Sequence, residues 1–113
     1  SMNYSNCPLD LFYFRGVELT SDFPCSVVEL DQSHLLTGKV LIEGHTLLVG
    51  LYESSSESWN YTAIAVNSTG HFSTTITWHS NNHSQNYSYL MLSIRGPSGV
   101  YDGWWTSIEI QIN

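Results

Sequence analysis

A run of aromatic and acidic side chains near the C-terminus, Tyr101-Asp102-Gly103-Trp104-Trp105, combines the residue types that contact ligands at protein surfaces. Apolar and polar residues alternate in the segment that follows, as in a strand with one face toward the core. This alternation places Trp104 with the inward Ile108 and Trp105 with the outward Ser107. Because large exposed apolar side chains usually mark contact surfaces, Trp105 predicts a binding site.

Two kinds of ligand suit these side chains. Trp, Tyr and Arg supply most of the binding energy in protein interfaces, and flat aromatic rings also stack on sugar rings while a carboxylate binds the hydroxyls. We therefore predict a partner-binding site and favour a protein over a glycan. Its predicted residues are Trp105, Tyr101, Asp102 and Arg95. A lipid-binding module is a third alternative, and a Trp105 packed beneath a neighbouring loop is the interpretation without a ligand.

Catalytic and metal-binding patterns are not found in the chain. The sequence contains no G-x-S-x-G turn to activate a serine, and no spacing fixes two carboxylates at a catalytic separation. His79 and His83 lie four residues apart, but a loop at a strand end gives that spacing no common face and supplies no third ligand. We expect both imidazoles to be solvated. The domain is therefore predicted to be non-catalytic, with no metal and no cofactor.

The two cysteines, Cys7 and Cys25, indicate the compartment rather than a reaction. Their separation fits neither a C-x-x-C redox motif nor a zinc site. In an oxidising compartment we expect them to form a disulfide, which would stabilise the N-terminal region by about 3 kcal/mol. Two buried free thiols in a cytosolic protein are the alternative.

The placement of asparagines favours an extracellular glycoprotein. With Ser and Thr at 26 of 113 positions, chance would give roughly two N-x-Ser/Thr sites by the definition of the motif, and the chain has five. They are Asn3, Asn60, Asn67, Asn82 and Asn86. The prediction is a secreted or cell-surface domain, and a bacterial chain rich in Ser and Thr is the alternative. We expect glycans on the last four sites to cover one end of the fold and to leave the Trp105 end free.

Charge and length exclude several classes of protein. Three Lys and Arg against ten Asp and Glu give a net charge of −7, which leaves too few cations to bind nucleic acid or an anionic membrane surface. No apolar run reaches the roughly 18 residues that cross a bilayer, so no membrane insertion is expected. A length of 113 residues suits one domain over residues 3–113, preceded by Ser1-Met2 as a cloning remnant.

Two-residue alternation runs through most of the chain and predicts strands joined by turns. The predicted strands cover residues 11–14, 27–30, 38–42, 46–53, 59–66, 72–78, 88–95 and 104–112. Both faces of 46–53 are apolar, which is typical of a central strand. Seven or eight short strands at this spacing predict an all-β, immunoglobulin-like antiparallel sandwich. Few lysines protect its edges, which leaves a homodimer through edge strands as an open alternative.

Three segments stand in a recognisable order: Thr37-Gly38-Lys39-Val40, Leu48-Val49-Gly50-Leu51-Tyr52-Glu53 and Val66-Asn67-Ser68-Thr69-Gly70-His71-Phe72-Ser73. They resemble the transthyretin-like and carboxypeptidase-regulatory-like domains, in which a G-x-V strand and a second strand precede a T/S-x-G-x-F-S hairpin. The resemblance implies a secreted sandwich without catalytic residues, in which Gly70 forms the tight turn and Phe72 begins the next strand's core face. The strand cysteines of nematode members are absent here. A lipid-carrying ML-type sandwich is a weaker alternative.

Overall fold

The structure is a computed structural model that describes residues 16–20, 27–97 and 101–113, with side chains except in the strand segment 101–106. Nearly all regular structure in these residues is β-strand. The strands are β1 (Val17–Leu19), β2 (Val27–Val28), β3 (Ser33–Val40), β4 (Thr46–Glu53), β5 (Ser58–Ile64), β6 (His71–Thr77), β7 (Tyr87–Arg95) and β8 (Tyr101–Ile112). A turn of 3-10 helix, Ser80–Asn82, follows β6. The predicted all-β class is confirmed.

The strands form two sheets in the order of an immunoglobulin-like sandwich. One sheet has the order β1-β3-β6, and the other has the order β2-β8-β7-β4-β5. Strands three apart in sequence, such as β3 with β6 and β4 with β7, meet within each sheet, as the Greek-key connections of that architecture require. The pairs are antiparallel except β2 with β8, which is parallel over Val27–Val28. The wholly antiparallel prediction is corrected there, where β2 covers the end of β8 that would otherwise be an open sheet edge.

The core lies between the two sheets and consists of aliphatic and aromatic side chains. Its buried members are Val17, Val28, Leu36, Val40, Leu47, Val49, Phe72, Ile76, Trp78, Leu90, Leu92, Ile94, Ile108, Ile110 and Ile112. The Trp78 indole N–H donates to Ser88 Oγ at 3.1 Å, and this hydroxyl donates to the Tyr52 carbonyl at 2.7 Å. The first bond satisfies the indole N–H of Trp78 in the apolar interior, and the second satisfies the buried hydroxyl of Ser88.

The predicted strand faces are confirmed where the alternation is clean. In β6, Phe72 and Ile76 are buried while Ser73 is exposed. In β8, Ile108 is buried and Ser107 is exposed. The strand β4 lies between β7 and β5 and is buried on both faces from Leu47 to Gly50, as its apolar residues predicted.

Other elements differ from their predictions because pairing partners decided them. The strand β3 begins at Ser33 rather than at residue 38, since its first residues pair with the end of β6. The strand β5 is an exposed edge, with only Ile64 partly buried. The predicted strand 11–14 and the Cys7–Cys25 disulfide lie outside the described residues. Within the part of the chain that the structure describes, no helix is long and apolar enough to span a membrane.

The turn between β5 and β6 is tight at Gly70 as expected, but it is not the hairpin that the family resemblance implies, because β5 and β6 belong to different sheets. Gly70 has φ +86°, a region that disfavours side chains, and its carbonyl accepts the Val40 N–H at 2.8 Å. The side-chain oxygen of Asn67 accepts the backbone N–H groups of Thr69 and His71 at 3.0 and 2.9 Å. This turn moves the chain from the five-stranded to the three-stranded sheet, so that Phe72 enters the core.

Candidate binding face

Five aromatic side chains occupy outward positions on three neighbouring strands of the five-stranded sheet. Tyr52 lies on β4, Trp59 and Tyr61 lie on β5, and Tyr87 and Tyr89 lie on β7. Because side chains two residues apart share a face and paired residues lie side by side, strand pairing brings these rings together. The pairing of Tyr52 with Trp59 fixes the register of the cluster. We call these five residues the aromatic face.

The rings of the aromatic face contact one another in stacked and edge-on pairs. Trp59 and Tyr61 are nearly parallel, at 12° with centroids 6.0 Å apart, and Tyr52 and Tyr87 are parallel within 11° at 6.4 Å. Tyr52 meets Trp59 edge-on at 5.8 Å and Tyr89 at 5.7 Å. Trp59 remains 37% exposed and Tyr61 53% exposed. The cluster therefore orders large rings while leaving two of them open to solvent.

A glycine beneath Tyr61 allows the ring to lie across the sheet. Gly50 pairs with Tyr61 in the neighbouring strand. A Cβ at Gly50 would lie 3.0 Å from two carbons of the Tyr61 ring and 3.3 Å from Met91 Cε. Since these are closer than ordinary van der Waals contact, any side chain at this position would push the ring away from β4.

A groove of about 510 Å³ continues from the aromatic face along the same side of the sheet. Its lining residues are Leu48, Trp59, Tyr61, Met91, Ser93, Arg95 and Ser107. The groove thus joins the exposed rings at one end to the Arg95 side chain at the other. An apolar floor with a few polar groups is the usual composition of a ligand-binding surface.

Carboxylates flank the ring cluster. Glu109 is exposed and pairs with Tyr89 across β7 and β8. Glu57 lies in the turn between β4 and β5, and its charge acts on Tyr52. Desolvation, followed by the charges of Tyr87 and Glu57, raises the pKa of the Tyr52 phenol above its usual value of 10.0. The aromatic face is therefore bordered by negative charge.

The predicted site residues fall on this same sheet, at the groove end away from the rings. Arg95 is half-buried, lines the groove and pairs with Tyr101. Backbone pairing places Trp105 opposite Ser93, another groove residue. The side chains of Tyr101, Asp102 and Trp105 lie outside the described residues, so their role in binding stays a prediction.

Sequence reasoning missed the larger part of this surface. The signal was present in two short patterns, Trp59-x-Tyr61 and Tyr87-x-Tyr89, because residues two apart in a strand face the same way. Tyr52 also stood on the side of its strand opposite the core residues. What the patterns could not give was the order of the strands, which brings these three segments side by side.

The histidine pair behaves differently from its prediction. His79 is exposed as expected, but His83 is buried, with 7% of its surface accessible. The expectation of two solvated imidazoles is therefore wrong for His83, because hydrogen bonds from the Ser55 N–H to the Asn82 carbonyl and from the Ser84 N–H to Ser54 Oγ hold this segment against the β4–β5 turn. Burial lowers the pKa of His83 below its usual 6.5, with Glu53 opposing the shift. Among the described residues, no cluster of three potential metal ligands occurs.

The glycosylation sites that the structure describes are not grouped at one end. Asn82 lies beside the β4–β5 turn, where its carbonyl accepts the Ser55 N–H at 3.1 Å. Asn67 lies beside the β3–β4 connection, at the opposite end, where Arg95 pairs with Thr46. The expectation that glycans would cover one end and leave the other free is therefore wrong. The predicted site Asn3 lies outside the described residues, and the occupancy of Asn60 and Asn86, both exposed, stays a prediction.

The described residues thus form an immunoglobulin-like β-sandwich with an aromatic outer face. Among solved structures, it is similar to part of a protein from Corynebacterium diphtheriae that is described as membrane anchored. The identity is 13% with a TM-score of 0.58, and the match covers 86% of this chain and 20% of that chain. At this identity the similarity shows a common fold, over about a fifth of the other protein. No protein-family model and no curated protein matches the sequence.

Proposed function

We propose that this domain is a non-catalytic recognition module of a secreted or cell-surface protein, and that it binds a protein partner through the aromatic face. The observation that carries the proposal is the pair of ordered but exposed rings, Trp59 and Tyr61. Large rings held in place by their neighbours lose little conformational entropy on binding, and covering them removes apolar surface from water. Trp and Tyr are accordingly the residues most often found at the energetic centre of protein interfaces.

Three further observations support parts of this proposal. The abundance of N-x-Ser/Thr sites favours an extracellular location. The similar Corynebacterium protein is described as membrane anchored, which is compatible with a surface location for a domain of this fold. The positive φ of Gly70 and the burial of Phe72 agree with the transthyretin-like resemblance at these two positions, although β5 and β6 do not form its hairpin.

A carbohydrate ligand is the second candidate, favoured by the near-parallel rings of Trp59 and Tyr61. Such a pair offers a flat apolar surface of the kind on which sugar rings stack. A lipid ligand would instead use the apolar floor of the groove, formed by Leu48 and Met91.

Protein and carbohydrate binding are separated by arrays of immobilised secreted proteins and of glycans, probed with the labelled domain. We expect binding to one or more proteins that survives enzymatic removal of their glycans. The double variant Trp59→Ala/Tyr61→Ala should lose this binding. The matched control Leu35→Ala/Leu41→Ala removes two side chains that are 53% and 49% exposed elsewhere, and it should bind normally.

Each alternative has its own signature in these experiments. Binding to glycans alone, lost in the Trp59→Ala/Tyr61→Ala variant, would establish the carbohydrate function. Lipid recovered by extraction and mass spectrometry from the purified domain would establish the lipid function. Protein binding that is unchanged in the double variant would show that recognition uses another surface, such as the one around Trp105.

A further inference from the structure

The aromatic rings and neighbouring carboxylates of the aromatic face would attract a positively charged partner. The faces of Trp and Tyr rings carry negative electrostatic potential, and they attract Lys and Arg side chains placed above them. Tyr52, Trp59 and Tyr89 contact one another through edge-on and tilted pairs, with centroids 5.7 to 6.4 Å apart. Trp59 is exposed, and the half-buried Tyr52 and Tyr89 lie in contact with it.

The charged groups around the rings add to this potential. Glu109 is exposed next to Tyr89 in the strand register. Glu57 is exposed in the β4–β5 turn and close enough to raise the pKa of Tyr52. A cation over the rings would therefore meet carboxylates on two sides, one from β8 and one from the turn.

Of the two cations in the described residues, one lies on the other sheet and one lines the groove beside the rings. The sequence has three Lys and Arg in total, of which Lys39 and Arg95 are in the described residues. Lys39 is on the three-stranded sheet, where it pairs with Glu18. Arg95 is paired with Thr46 at the end of β7 away from Tyr87 and Tyr89, and its side chain lines the groove that also contains Trp59 and Tyr61. With a net charge of −7 for the whole chain, this region is complementary to a positive partner.

We propose that the aromatic face binds a basic segment of a partner protein, whose Arg or Lys side chains lie on Tyr52, Trp59 and Tyr89 between Glu57 and Glu109. The inference rests on the proposed function and names the chemistry of the partner. Arg fits better than Lys, because its planar guanidinium stacks on a ring and also forms paired hydrogen bonds with a carboxylate.

The probe is a capped oligoarginine peptide, compared with the same peptide carrying citrulline in place of arginine. Citrulline keeps the planar shape but has no charge. We expect the arginine peptide to change the Trp fluorescence and to bind at least roughly tenfold more tightly than the citrulline peptide. Its binding should weaken in about 1 M salt, where the Debye length falls to roughly 3 Å.

Matched variants separate recognition from general attraction to an acidic protein. Glu57→Gln/Glu109→Gln should weaken arginine-peptide binding by roughly tenfold. Glu18→Gln/Glu43→Gln removes the same amount of charge away from the rings and should change the affinity by less than about twofold. Trp59→Ala should abolish binding, and Trp59→Phe should retain part of it, because a smaller ring still attracts a cation.

Several results would overturn the inference. Equal affinity for the arginine and citrulline peptides would show that the charge of the peptide has no role. Equal weakening by Glu57→Gln/Glu109→Gln and by Glu18→Gln/Glu43→Gln would show that the peptide is attracted non-specifically by the negative charge of the protein. If the protein bound on the arrays needs Trp59 and Tyr61 but is insensitive to salt and to Glu57→Gln/Glu109→Gln, the proposed function stands and this inference fails. Array binding to glycans alone would remove the proposed function itself.

Discussion

The two outer faces of the sandwich are built from different chemistry. On the three-stranded sheet, outward positions of β3 and β6 carry mainly hydroxyl side chains, and Ser33 Oγ lies 3.3 Å from Thr77 Oγ1. On the five-stranded sheet, the corresponding positions of β4, β5 and β7 carry five aromatic rings. Hydroxyl groups exchange hydrogen bonds with water at little net cost, whereas exposed rings gain free energy when a partner covers them. This difference is the reason for assigning recognition to the five-stranded sheet.

Both faces come from the same two-residue alternation, so the pattern of burial alone does not separate them. The difference lies in the size and polarity of the outward residues. The aromatic face also depends on a buried glycine, Gly50, that makes room for the Tyr61 ring. Substitutions can therefore test whether the rings serve stability or binding.

The largest difference between the core and the aromatic face is expected in the free energy of unfolding when one tryptophan is removed from each. Trp78 is fully buried and bonded to Ser88, so Trp78→Ala should destabilise the domain by about 3 to 5 kcal/mol. Trp59 is 37% exposed, so Trp59→Ala should cost only about 1 kcal/mol from lost ring contacts. Urea denaturation measures both. Equal losses would show that the aromatic face is part of the stabilising core.

A smaller effect is expected from adding one methyl group to a buried glycine in each sheet. In Gly38→Ala the new Cβ would collide with the backbone oxygen of Glu18 and lie 2.8 Å from the Phe72 ring. Because backbone cannot move aside easily, we expect a loss of about 1 to 3 kcal/mol. In Gly50→Ala the neighbours are the ends of Tyr61 and Met91, so the loss should stay below about 1 kcal/mol.

The second variant, Gly50→Ala, has a further readout. The displaced Tyr61 ring should change the near-ultraviolet circular dichroism of the Trp59–Tyr61 pair and weaken partner binding. If Gly50→Ala destabilised the domain more than Gly38→Ala, the Tyr61 ring would be held more rigidly than its exposure indicates.

The smallest effect on the free energy of unfolding is expected when acid protonates a histidine in the segment that joins the two sheets. Residues 80–85 are tied to both: Ser80 N–H donates to Asp31 Oδ1 at 2.9 Å, and Ser84 N–H donates to Ser54 Oγ at 3.0 Å. His83 is buried here with a lowered pKa, so the unfolded chain binds its proton at a higher pH than the folded domain does. Stability from this group is complete above pH 6.5 and declines as the pH falls below that value.

Chemical denaturation from neutral pH down to about pH 5 measures this decline. His83→Gln should reduce the slope of stability against pH in that range. The control His79→Gln removes an exposed histidine of the same turn whose charge adds to the lowered pKa of His83, so it should reduce the slope by less than His83→Gln does. An unchanged slope in His83→Gln would mean that another group causes the acid sensitivity.

Much of the fold followed from the sequence, and most of the aromatic face did not. The inward residues of β6 and β8 and the central place of β4 were predictable, because burial of one or both strand faces leaves a direct record in the alternation. The Gly70 turn was predictable from its residue types. The length of β3 and the exposure of β5 were not, since each depends on which strand lies alongside.

What the sequence determined by itself is the class of structure: an all-β sandwich with a negative charge and an excess of aromatic residues. Tertiary structure decided which of those aromatic residues meet. Trp59, Tyr52 and Tyr89 come from three segments, and only the order β7-β4-β5 sets them side by side. The burial of His83 also depends on tertiary contacts, because hydrogen bonds to Asp31 and Ser54 hold its segment in place. Alternation is a local property that each strand records alone, whereas a surface assembled across strands exists only after the strands have paired.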